Sequence, residues 1–151
     1  MDRHQLGLAF ASSIGPLLQT WRRAGDRATL TYGISNAVSW PLLVISRHQQ
    51  GIRQRTLACS LGIESPSVVR LIAQLEQEKL ITRTTDPSDK RATLLTVTSK
   101  GKALSSELEL VMKELRADVL QGVSDAELDT CLRVFNQLHK NLGTKQPDLV
   151  S

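Results

Sequence analysis

Apolar residues recur along this chain at two spacings, and the change from one to the other organises it. Ile14, Leu17, Leu18 and Trp21 lie at helical spacing and predict an N-terminal helix. Pro16 within it either opens that helix or kinks it. Gly33 punctuates, and Val38, Leu42 and Ile45 predict a second helix over 35–47. Pro41 falls inside that span, so the helix either kinks there or starts there with Ser39 as N-cap. After a polar turn at 48–51, Leu57, Ala58 and Leu61 predict a short helix over 54–61, stopped by Gly62. Ser65 reads as the next N-cap, with Pro66 at the first helical position, where a missing N–H costs nothing. Val68, Leu71, Ile72 and Leu75 form the apolar stripe of a helix over 65–79.

The pattern then turns β-rich. Runs over 80–84 and 93–97 read as strands, separated by the polar segment 86–91. That segment is longer than a minimal hairpin needs and puts Lys90 and Arg91 at the tip. Thr98 caps a long helix bearing Leu104, Leu108, Val111, Leu115 and Val119 on one side. Ser124 and Glu127 form a capping box that opens a last helix, with Leu128, Leu132, Phe135 and Leu138 inward. Gly143 ends it, and 144–151 reads as a frayed tail. The fold class is mostly α with one small β-hairpin: a winged helix-turn-helix over 35–98. It is flanked by an N-terminal helix (1–34) and two C-terminal helices (99–143).

Composition narrows the function. Hydrophobic residues are 40% of 151, enough for a core, while aromatics are only 3%, too few for a stacking platform on single-stranded nucleic acid. No apolar run approaches the roughly 20 residues of a membrane span. The N-terminus lacks the basic-then-apolar pattern of a signal peptide, so the expected location is cytoplasmic. Cys59 and Cys131 lie far apart and read as small core residues rather than a disulfide or zinc site. No H-E-x-x-H, G-x-S-x-G, Walker loop or G-x-G-x-x-G is present, so no enzyme, metal or cofactor is expected. Charge is uneven: +3 over 1–51, +4 over 52–102 and −3 over 103–151. A basic middle beside an acidic tail fits a module that faces a polyanion.

The candidate site lies in that basic middle. At about 100° per residue, Ser67, Arg70 and Gln74 fall on the face of the 65–79 helix away from its apolar stripe. Small hydroxyls permit close approach to a major groove, and Arg grips guanine O6 and N7 with two bonds. An ordinary solvated helix face is the other reading of the same pattern. Arg91 beside Lys90 and Asp89 suits a narrow minor groove, and a solvated polar turn is again the alternative.

The run Leu61-Gly62-Ile63-Glu64-Ser65-Pro66-Ser67-Val68-Val69-Arg70 carries a resemblance. So do Leu75-Glu76, Leu80-Ile81-Thr82-Arg83, Asp86-Pro87-Ser88-Asp89-Lys90-Arg91 and the stretch from Leu95 to Gly101. Together they resemble the MarR family of bacterial regulators, and the stretch from Gly62 to Arg70 is similar to its SlyA branch. The resemblance is dense over about 57–104. It implies a homodimer in which the N-terminal helix and the last two helices intertwine. Two winged modules would then face successive major grooves of a pseudo-palindromic operator. It implies that Ser65, Ser67 and Arg70 contact bases and phosphates, that Arg91 is the wing arginine with Asp89 its partner, and that Arg55 meets a phosphate. It also implies a repressor released by a small aromatic carboxylate, bound where the dimerisation helices meet the DNA-binding domain. Trp40 matches an aromatic found there, or is simply core; Pro41 departs from the family pattern. The competing function is a winged-helix protein-interaction module that does not bind DNA.

Overall fold

The computed structural model describes residues 1–144, and the side chains of all of these except Asn36 and Arg91. The frayed tail expected at the C-terminus lies, apart from Thr144, outside the described residues. In chain order the elements are α1 (Arg3–Thr29), a 3-10 turn (Leu30–Tyr32), α2 (Asn36–Arg47), β1 (Ile52–Arg53), α3 (Gln54–Leu61), α4 (Ser65–Gln77), β2 (Ile81–Asp86), β3 (Asp89–Val97), α5 (Ser99–Val119) and α6 (Asp125–Asn141). The three strands form one antiparallel sheet in the order β1-β3-β2. The fold is a winged helix-turn-helix flanked by long helices.

Both internal prolines are carried within continuous helices. Pro16 lies inside α1 and Pro41 inside α2, so neither one starts its helix. α1 begins with a capping box between Asp2 and Gln5, which ties down its first turn. α2 starts after Ser35 and runs on past Pro41, and Val38, Leu42, Leu43, Val44 and Ile45 are all buried. A helix apolar almost all round is a core helix. The core gathers around it: Ile52, Leu57, Val68, Ile72, Leu75, Leu80, Leu95 and Leu108 are each at most 2% exposed.

α3 and α4 meet at a bend of 108°, within the range of a helix-turn-helix. Gly62 sits in the left-handed region at φ 62, as a helix-stopping glycine does. α4 begins one residue earlier than its sequence pattern implies: Glu64 is the N-cap, and Ser65 and Pro66 occupy the first turn. Neither of the first two helical N–H groups has an intrahelical partner, so Pro66 fits the second position as well as the first.

α4 closes on a residue of the wrong type. Lys79 has φ 59, its N–H donates to Glu76 O at 2.9 Å, and Leu80 N–H donates to Leu75 O at 2.9 Å. These are the two bonds of a Schellman motif, with Leu75 and Leu80 supplying its apolar contact. A lysine there carries the Cβ clash that glycine lacks. Lys79→Gly is therefore expected to stabilise the protein by about 0.5–1 kcal/mol, net of the extra unfolded-state entropy of glycine. Denaturant melts at fixed protein concentration check this, and a loss of stability would show that the left-handed lysine is unstrained.

α6 is locally well formed yet buries no residue in the protomer. Ser124 and Glu127 make the expected capping box, with Asp125 and Glu127 in the first turn and His139 and Lys140 in the last, complementing the helix dipole. Of the four residues expected inward, Leu128 and Leu138 are only half-buried, while Leu132 is 54% exposed and Phe135 42%. Leu6, Leu8, Ile14, Leu17 and Leu18 of α1 are exposed as well. Among the described residues no single helix is long and apolar enough to cross a membrane.

Candidate nucleic-acid interface

α4 is held by one stripe and free on the other. Val68, Ile72 and Leu75 are fully buried, while Ser65, Ser67, Arg70 and Gln74 are exposed. Gln74 Nε2 donates to Glu78 Oε1 at 3.2 Å, an i,i+4 pair on the same surface. Arg55, in the first turn of α3, is exposed too. Ser67, Arg70 and Gln74 thus share one open face, while Ser65 is exposed at the start of α4 and Arg55 on the supporting helix.

The wing differs from its sequence reading. Asp86 pairs with Asp89, so the turn is only Pro87-Ser88 and the hairpin is tight. The signal was present: Asp, Pro and Ser suit the first three positions of a type I turn. Thr85 pairs with Thr93, so Lys90, Arg91 and Ala92 fall between the two pairs as a bulge. Lys90 and Arg91 are therefore on β3, beside the tip and not on it. Lys90 is exposed, and the Arg91 side chain lies outside the described ones.

Two residues that the sequence pattern does not single out organise this end of the hairpin. Arg53 of β1 donates from Nη2 and Nε to Asp86 Oδ2, at 2.6 and 3.1 Å. The other oxygen of Asp86 accepts from Ser88 N–H at 2.8 Å and Ser88 Oγ at 2.6 Å. The Asp86 residue is only 6% exposed. Asp89, given by the resemblance as a partner of Arg91, lies 3.9 Å from Arg53 Nη2. The Ser88 hydroxyl, then Arg53, lower the Asp86 pKa from 3.8 to about 2. Its folded value lies below its unfolded one, so its stabilisation is complete above about pH 4 and is lost as pH falls toward the folded value. β1 itself is two residues long and pairs with β3 through Ile52↔Leu95 and Arg53↔Leu94.

A second ion pair fastens the wing to α4: Arg83 of β2 reaches Glu76 at 2.9 Å. A third joins α2 to α5, where Glu109 accepts from Arg47 at 3.0 Å and from Arg116 at 2.8 Å. Partial burial opposes ionisation of Glu109, but the bonds from the two arginines, with their charges, outweigh it and hold its pKa low. Trp40 is half-buried against the core, with the Arg47 guanidinium 5.6 Å from its ring centroid. A cleft of about 430 Å³ lies between the 30–34 segment and the start of α5, lined by Tyr32, Ile34, Leu80, Lys100 and Leu104 among others; Trp40 does not line it.

Cys59 and Cys131 are both exposed, contrary to their reading as core residues. Cys59 lies opposite the Leu57/Ala58/Leu61 side of α3, and Cys131 shares the apolar side of α6, which the protomer leaves uncovered. Among the described residues no group of three His, Cys, Asp or Glu side chains could hold a metal ion.

Comparison with known proteins fits this geometry. The MarR family model matches residues 36–93. The transcriptional regulator PA3341 is 32% identical, with a TM-score of 0.81 over 89% of this chain and 98% of that one. CouR from Rhodococcus jostii, in a structure bound to p-coumaroyl-CoA, is 23% identical with a TM-score of 0.77, covering 85% of this chain and 90% of that one. A MarR family regulator from Listeria monocytogenes, complexed with 26mer DNA, is 22% identical with a TM-score of 0.75, covering 87% of each chain. The last two show the shared fold; the first, with its identity along nearly the whole length, shows kinship. The chain belongs to the MarR family of transcriptional regulators.

Proposed function

We propose that the protein binds a pseudo-palindromic operator as a homodimer and represses transcription until a small aromatic-type ligand releases it. The observation that carries this reading is the open face of α4. Its opposite stripe is sealed in the core, while Ser67, Arg70 and Gln74 are presented together and Ser65 stands exposed at the helix start. A helix so anchored enters a major groove without unpacking anything. Arg55 adds a phosphate contact from the start of α3. Lys90 and Arg91, beside the hairpin turn, address the adjacent minor groove, with Asp89 as the acidic neighbour of Arg91. The exposed apolar residues of α1 and α6 supply the dimer contact.

The ligand part of the proposal draws on the cleft near Lys100, whose volume is in the range of small-molecule sites. It draws also on CouR, whose bound p-coumaroyl-CoA is an aromatic acyl thioester. Trp40, held under Arg47, stands outside this cleft, so the ligand part of the proposal does not rest on it.

Arg70→Ala is expected to weaken specific binding by about 1–3 kcal/mol and to relax base preference at one position per half-site. Affinities measured on an operator and on its single-base variants check this. Wild-type affinity with unchanged preference would remove Arg70 from the reading face. The competing function, a protein-interaction module, predicts no salt-dependent duplex affinity at all.

A further inference from the structure

We infer that Arg53 and Asp86 form a positioning clamp that fixes the angle of the wing relative to the reading helix, and that Arg53 is not itself a DNA contact. This rests on the operator-binding reading above. The sheet order is β1-β3-β2, so Arg53 on one edge reaches Asp86 at the far end of the hairpin past the middle strand. The bulge at Lys90–Ala92 makes that reach possible, because a bulge bends the strand that carries it. Arg53 is also the residue from which α3 starts: its backbone is the N-cap of that helix. One residue thus joins the root of the helix-turn-helix to the end of the wing. Asp86 is saturated in return, with Arg53 on one oxygen and both donors of Ser88 on the other. A carboxylate so satisfied, and so little exposed, holds one geometry. The Arg83–Glu76 pair secures the base of the same hairpin to α4. The bulge with Lys90 and Arg91 is then presented at a set distance from Arg70, as spanning two adjacent grooves requires.

The test is a sign. Asp86→Asn removes a negative charge near a polyanion and frees Arg53. If Arg53 were a latent phosphate ligand, duplex affinity would rise. The clamp predicts the reverse: operator affinity falls by about tenfold, as for a lost coupling element. Preference for A·T-rich over G·C-rich flanks fades, while base preference at the Arg70 position persists. Arg53→Met should match Asp86→Asn, and Arg53→Lys should restore part of both readouts by keeping one arm of the clamp. The side chain of Asp86 supports no apolar core, and asparagine retains the turn bond to Ser88, so the fold should survive; a thermal melt records this. Ser88→Ala, at an exposed turn, keeps the Arg53–Asp86 pair and gives a smaller loss in the same direction, with the same thermal melt recording its stability. Affinity that rises in Asp86→Asn, or flank preference that is unchanged in both Asp86→Asn and Arg53→Met, overturns the clamp. A wild-type protein that binds no duplex overturns the operator reading instead, so the two failures are distinct.

Discussion

Gly101→Ala should destabilise the protein by roughly 3 kcal/mol or more, although alanine is the better helix former by about 1 kcal/mol. Gly101 is the third residue of α5, and its N–H donates to Thr98 Oγ1 at 3.0 Å. A Cβ there would lie 1.9 Å from Leu80 O and 2.9 Å from its carbonyl carbon. That carbonyl cannot retreat cheaply. It accepts Thr98 N–H at 3.0 Å and Thr98 Oγ1 at 3.2 Å, and Leu80 is fully buried. Lys100 Nζ adds a bond to Glu78 O at 2.9 Å on the same junction. The return from the wing and the start of α5 are therefore pinned to the end of α4 through a space that admits no side chain. At about 2–4 °C per kcal/mol for a chain of this size, Tm at fixed protein concentration should fall by about 10 °C. A melt unchanged from wild type would show that the junction yields.

The second large effect concerns the helices that the protomer leaves uncovered. Leu132→Glu combined with Phe135→Glu should convert a dimer into monomers and cut operator affinity by a factor on the order of 10²–10⁴, since two linked half-site contacts become one. The reason lies in burial. α6 buries nothing within its own chain, and the apolar side of α1 is exposed from Leu6 to Leu18. Such a face left in water would be an aggregation hazard; between two chains it becomes a core-like interface. Sedimentation at micromolar concentration reads the state directly. A wild-type monomer that is fully helical, or a double variant that stays dimeric and binds as before, would place the contact elsewhere.

These cases show what was legible in the sequence and what was not. The helices were legible because stripes such as Val68/Ile72/Leu75 are local statements, and so was the stop at Gly62. β1 was not: two residues have no period, and its pairing with Leu94 and Leu95 is set by chain far away. The length of the wing loop was obscured because 89–92 is as polar as a turn, although it pairs or bulges as strand. Periodicity in α6 shows which side is apolar but not which molecule covers it, so Leu132 and Phe135 read as inward when they face out. The same blindness explains Cys59 and Cys131, which are small enough for a core but lie outside one. In the candidate site, the face bearing Ser67, Arg70 and Gln74 followed from 100° arithmetic. Arg53 and Asp86 could not, because they meet across 33 residues of chain.

The most direct measurement is selection of bound fragments from genomic DNA with the purified full chain, followed by footprinting of the enriched fragments. A dimer reading two grooves should enrich pseudo-palindromes whose half-sites are centred about 10 base pairs, or a multiple of that, apart. Binding should weaken steeply with added salt, and the footprint should extend to A·T-rich flanks on both sides. Recovery of no common sequence, or of a single unrepeated half-site bound with a shallow salt dependence, would contradict the assignment of this chain as an operator-binding dimer.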